Sequence, residues 1–145
     1  MNTLSTAAEI KRLAAEMGAD LCGTASAESL SGAPAGFAPT DVLPGCRSVI
    51  VIARRFLRSA VEAASTVPYT DIRNHLTAQM DILSIRISYA LEDAGATAVP
   101  VNAIGPCEWD PARNRSMGII SLKHAAEKAG LGRIGRNTLL VNDRY

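Results

Sequence analysis

Gly130, Gly132 and Gly135 stand at the G-x-G-x-x-G spacing that, between a strand and a helix, cradles a pyrophosphate. That chemistry depends on order: a strand enters the turn, and the helix that leaves it aims its N-terminal N–H groups at the phosphates. Here residues 123–129 read as helix and precede the glycines, while the apolar stretch 138–141 follows them as strand. The helix end facing the bend is then a C-terminus, whose partial negative charge repels phosphate. A helix C-cap is the expectation instead, with Gly130 left-handed and the later glycines permitting close packing.

Other residue types with chemical potential are scattered. His124 lies next to this bend; it reads either as a half-exposed helical histidine or as a ligand or proton shuttle. His75, beside Leu76 early in a long helical pattern, reads as structural. Arg54, Arg55 and Arg58 follow an apolar strand. Strand ends border crevices in α/β folds, so an anion or phosphate contact stands beside the plainer reading of a solvated basic loop. Trp109, between Glu108 and Asp110, reads as a loop anchor, with a lid over a cofactor as the alternative. No spacing assembles a Ser-His-Asp or Cys-His group. Cys22, Cys46 and Cys107 form no C-x-x-C step, so no zinc site or iron–sulfur cluster is built locally. Cys22 is expected buried in a strand and the other two in loops.

The elements that must position these residues are legible in outline. Thr6 and Glu9 make a capping box, and Ile10, Leu13, Ala14 and Met17 give a helix over about residues 5–17, stopped by Gly18. Residues 20–26 read as a strand, and 29–44, rich in Gly and Pro, as a surface excursion. Ser48–Ala53 is a continuous apolar run, the pattern of a strand covered on both faces. Thr70 is the expected cap of a long helix through about Asp93, with Gly95 as its stop. Its stripe runs Ile72, Leu76, Met80, Leu83, Ile87 and Ala90 or Leu91, and Ile82, Ile85 and Tyr89 add a second apolar face, suited to a central helix or an oligomer interface. Residues 97–101 read as a third strand, 105–117 as irregular, and Ser121 as the cap of a short helix through Lys128. The sequence therefore predicts one α/β domain over residues 1–145, three-layered, with a mixed sheet flanked by helices.

Composition bounds the function. The 145 residues carry 15 Lys+Arg against 14 Asp+Glu, a formal charge of +1. That balance gives no electrostatic case for nucleic acid or an anionic membrane. At 4% aromatic residues, stacking platforms for single strands are also scarce. With 48% hydrophobic residues the chain is globular in type, and a chain of this length buries about 70% of its unfolded surface. No apolar run reaches transmembrane length, and charges interrupt the N-terminal helix, so the expectation is a cytoplasmic protein.

Residues 126–142, AEKAGLGRIGRNTLLVN, resemble the A-x-x-A-G-L-G-x-I-G-K-N-x-L-L-I block of the epoxyqueuosine reductase-like family of corrinoid and iron–sulfur proteins, related to reductive dehalogenases. Residues 17–25, MGADLCGTA, resemble that family's opening G-A-D-x-x-G-I-A, and 43–51, LPGCRSVIV, its L-P-x-A-K-S-V-I-V, in the same order. The resemblance implies a nitroreductase-like α/β domain packed on a ferredoxin-type domain with two [4Fe–4S] clusters. It implies cobalamin between the two, lined by the I-G-K-N turn, here Ile134, Gly135, Arg136 and Asn137. Glycine-freed N–H groups, the Asn137 amide and a cationic Arg136 would suit such a cofactor edge, with Arg54 and His124 as further candidates. Ser116 and the pair Leu122 and Lys123 stand near where reductases proper carry an aspartate acid and a Glu-Arg pair. SLKHAA at 121–126 instead resembles the broader group of unassigned homologues. The expectation is a truncated or stand-alone front half, inactive without the iron–sulfur domain, which a further segment or a partner would supply. Two rivals remain: a non-catalytic interaction module that pairs through the second helix face, as a homodimer or with a partner, and an FMN-binding nitroreductase-like enzyme.

Overall fold

Thr6 opens the first helix as its sequence pattern requires. Its Oγ1 accepts the Glu9 N–H at 3.2 Å, and the Glu9 carboxylate accepts the Thr6 N–H at 2.9 Å, so two orphan donors of α1 (Ala7–Glu16) are satisfied reciprocally. The computed structural model describes residues 6–105 and 107–145. Its backbone contacts gather into two units: the chain up to Leu21 with Ile52–Pro100 and Tyr145, and Cys22–Val51 with Val101–Arg144. Between Leu21 and Val51 the chain forms β1 (Leu21–Ser26), a 3₁₀ turn (Ala27–Leu30), α2 (Pro39–Val42) and β2 (Ser48–Ala53).

In the first unit, Gly18 ends α1 at φ +105, with Ala19 N–H bonded back to the Ala14 carbonyl. The chain then reaches Asp20, whose N–H meets the Ala53 carbonyl at the end of β2. α3 (Arg58–Val61) packs on α4 (Val67–Asp93). The long helix starts earlier than the Thr70 cap expected: Pro68 lies in its first turn, where a missing N–H costs nothing, and Thr70 Oγ1 donates to the Thr66 carbonyl instead. Leu83, Ile87 and Leu91 are its buried stripe. The second face stays uncovered, with Ile82 59%, Ile85 39% and Tyr89 65% exposed. Residues 97–101 are not a strand; Pro100 lacks an N–H and no neighbouring strand pairs with the segment.

In the second unit, α5 (Leu122–Lys128) buries Ala125 and Ala126 and packs on the 3₁₀ turn. Gly23 makes this close seat possible, because a Cβ there would lie 2.5 Å from the Ala129 carbonyl oxygen. The stretch expected to be irregular contains a hairpin, β3 (Glu108–Asp110) against β4 (Arg115–Met117), with Trp109 opposite Ser116. Asp110 Oδ1 accepts the Ala112 and Arg113 N–H groups, which shapes the turn from a side chain rather than from apolar alternation. β5 (Arg133–Ile134) and β6 (Leu140–Val141) close the chain antiparallel. The last strand is shorter than the 138–141 expected, because Thr138 is left-handed at φ +62.

β1 pairs with β2, and the bonds at their ends, Asp20 N–H to Ala53 and Ala27 N–H to Arg47, run antiparallel. The described residues thus combine helix with three two-stranded sheets rather than a single mixed sheet. β2 is half-buried from Val49 to Ala53, not sealed on both faces as its apolar run suggested. In a two-stranded ribbon such a run marks the strand without fixing its cover. Cys22 is likewise only half-buried in β1, Cys46 is half-buried ahead of β2, and Cys107 is exposed. Among the described residues no helix is long and apolar enough to cross a membrane.

Candidate functional site

The glycine bend is built by α5 and the two strands that follow it. Gly130 is left-handed at φ +74, its N–H bonds the Glu127 carbonyl, and the Leu131 N–H reaches back to Ala126. This 6→1 and 5→2 pair is a Schellman cap. A helix therefore enters the bend and a strand leaves it, the polarity the sequence predicts and the reverse of a dinucleotide cradle. Gly132 lies against β6 so closely that a Cβ would collide with the Val141 carbonyl. Asn142 fastens the same place by donating its side-chain amide to the Leu131 carbonyl.

Ile134, Gly135, Arg136 and Asn137 are brought together in this bend, with His124 on α5 of the same unit. Arg54 belongs to the first unit. The expectation of glycine-freed backbone donors is corrected at Ile134 and Gly135. The Ile134 N–H is taken by Glu127 Oε1 at 2.8 Å, and the Gly135 N–H by the Leu139 carbonyl at 2.9 Å. Asn137 Oδ1 accepts the Leu139 N–H, and Lys123 Nζ donates to the Thr138 carbonyl. At its tip the bend presents the exposed Arg136 guanidinium and the Asn137 amide N–H groups. Such groups can donate to amide carbonyls or phosphate oxygens of a ligand. His124 is exposed, its Nδ1 2.6 Å from Ser121 Oγ, which makes it part of the helix start. Glu127 is the residue sequence reasoning missed; its partner lies across the bend, and no local pattern couples them.

The first unit holds a separate cleft of about 300 Å³. Asp20, Arg54, Arg55, His75 and Gln79 supply its polar lining, so the strand-end arginines do border a crevice. Arg54 Nη1 lies 3.4 Å from Gln79 Oε1, and Asp20 Oδ2 accepts the Arg55 backbone N–H at 2.9 Å. Arg58 is drawn away into a 2.6 Å pair with Glu62. His75, read from the sequence as structural, is exposed, 3.3 Å from Asp71, and lines the cleft. Among the described residues no group of three or more His, Cys, Asp or Glu side chains could hold a metal ion. No protein-family model matches the chain, and no curated protein or solved structure matches it.

Proposed function

We propose that the chain is the leading α/β portion of an epoxyqueuosine reductase-like redox protein, nitroreductase-like and three-layered in its complete assembly, acting in the cytoplasm. The single observation that supports this most is the bend at Gly130–Gly132–Gly135: helix in, Schellman cap, strand out, with Arg136 and Asn137 exposed at its tip. That arrangement suits the resembling I-G-K-N block and suits no phosphate cradle. Cobalamin is the cofactor proposed for this edge, held by the Arg136 guanidinium and the Asn137 amide. Bound cobalamin would supply a redox-active cobalt that exchanges electrons with iron–sulfur clusters. The clusters would come from another segment or a partner, because among the described residues Cys22, Cys46 and Cys107 do not gather into a ligand set; on this reading the chain would not be catalytic alone.

Absorbance titration of the purified protein with hydroxocobalamin, and in parallel with FMN, tests the reading. A shift in the corrin bands that weakens in Arg136→Ala and Asn137→Ala is the expected result. Response to FMN alone favours the flavin enzyme, and no spectral change with either ligand removes both cofactor claims. The exposed Ile82, Ile85 and Tyr89 favour a second reading, a non-catalytic module that pairs through α4. Light scattering decides it: a strict monomer that recruits no partner counts against pairing.

A further inference from the structure

Two arginines in the first-unit cleft have no acidic partner. Four arginines among the described residues are ion-paired, Arg12 with Glu16, Arg58 with Glu62, Arg113 with Asp110 and Arg133 with Asp143, while several others, Arg54 and Arg55 among them, are not. Those two lack a carboxylate partner although Asp20 lines the same cleft. The Asp20 carboxylate is committed to the Arg55 backbone N–H, and Asp71, the acid nearest His75, reaches that histidine and neither arginine.

The Arg54 guanidinium is also held in place. Gln79 Oε1 accepts from Arg54 Nη1 at 3.4 Å. A guanidinium fixed by a neutral amide keeps its full charge and its remaining donors for a ligand. The rest of the lining is apolar: Leu57, Ile72 and Leu76 face the same space. A purely ionic site would not need that wall; it suits the body of an organic molecule. The volume is at the small end for ligand sites and is far too small for a corrin macrocycle.

We propose that this cleft binds a small organic oxyanion, a phosphate or carboxylate group carried on a compact apolar body, with Arg54 and Arg55 on the anion and Leu57, Ile72 and Leu76 against the body. The site stands independently of the corrinoid reading proposed above, which rests on Arg136 and Asn137 in the glycine bend and not on Arg54.

Isothermal titration calorimetry of the full chain with phenyl phosphate, phenylacetate, inorganic phosphate and phenol tests it. One of the two aromatic anions binds, inorganic phosphate binds more weakly, and phenol does not bind. Preference between phenyl phosphate and phenylacetate tells the phosphate from the carboxylate class. Arg54→Ala and Arg55→Ala each weaken the preferred probe by about tenfold or more, and Arg58→Ala leaves it unchanged. Arg54→Lys, which retains charge but loses the planar fork, also weakens it and covers the case in which an alanine variant fails to fold. Circular dichroism of α4 identifies any such failure. The proposal is overturned if neither aromatic anion gives heat at millimolar concentration, if phenol binds as well as they do, or if Arg54→Lys and Arg55→Ala bind like the parent.

Discussion

Two glycines of the bend, both replaced by alanine, have different costs that report its geometry. Gly130 is left-handed with open space where a Cβ would go, so alanine there meets only backbone strain, about 1 kcal/mol. Gly132 carries no positive φ, but a Cβ would run into the Val141 carbonyl and come 3.2 Å from Leu140 Cγ. The obstacle is mostly backbone and cannot rotate aside, so β6 must retreat and the Arg133–Val141 pairing loosens. Losing about two hydrogen bonds and overpacking the contact together cost about 3 kcal/mol. With a urea slope of about 2 kcal/mol/M, the midpoint falls by about 1.5 M for Gly132→Ala and about 0.5 M for Gly130→Ala. Trp109 is the sole tryptophan and belongs to the same unit, so its fluorescence follows the transition. Equal shifts, or a larger one at Gly130, would refute the close approach of β6 and with it the described bend.

Glu127→Ala leaves the half-buried Ile134 N–H without its acceptor and destabilises the second unit by about 1–2 kcal/mol, whereas Glu127→Gln, which keeps an acceptor, costs less; urea melts separate the two. The Arg113 guanidinium, through its side-chain hydrogen bond first and its charge as well, holds the Asp110 carboxyl below the usual carboxylate range. A carboxyl depressed in the fold stabilises above its unfolded pKa, and that contribution is lost as pH falls through the folded value. Acid titration of Trp109 fluorescence therefore shows the hairpin transition moving to higher pH in Arg113→Ala. Ile87→Ala, at a site 4% exposed, costs about 2–4 kcal/mol, while Ile82→Ala changes stability by less than about 0.5 kcal/mol; thermal melts of the helical signal check both.

Legibility followed the range of the interaction. The Thr6–Glu9 capping box and the Ser48–Ala53 strand were readable because a few adjacent residues specify each. The start of α4 was misplaced by one turn because Pro68 looks like a breaker in sequence, and a first helical turn tolerates it. The Trp109 hairpin had no apolar alternation to announce it; the Asp110 side chain shapes its turn through two backbone N–H groups. His75 and Gln79 could be placed on a helix but not in a cleft, since packing brings α4 beside Arg54 from another part of the chain. Residues 97–101 had the composition of a strand and lacked only a partner, which composition cannot supply.

The same device recurs in both units and governs what either site can recognise. In the first, Asp20 spends its carboxylate on the Arg55 N–H; in the second, Glu127 spends its own on the Ile134 N–H. Each acid occupies the backbone donor an incoming anion would otherwise use, and each does so beside arginines that keep their side chains exposed. A ligand at either place therefore meets arginine guanidinium groups beside a backbone donor that is already taken. Recognition of that kind depends on the planar fork and weakens with salt, whereas a backbone cradle tolerates any side chain at the same positions. Arginine-to-lysine substitution at Arg54 or Arg136 should consequently lower affinity with no change in stability. Removing Glu127 should open a backbone donor and raise, rather than reduce, the affinity of the bend for an anion. Should anion affinity fall in Glu127→Ala while the fold survives, the carboxylate is part of the recognition surface, and the argument that it merely caps Ile134 is wrong.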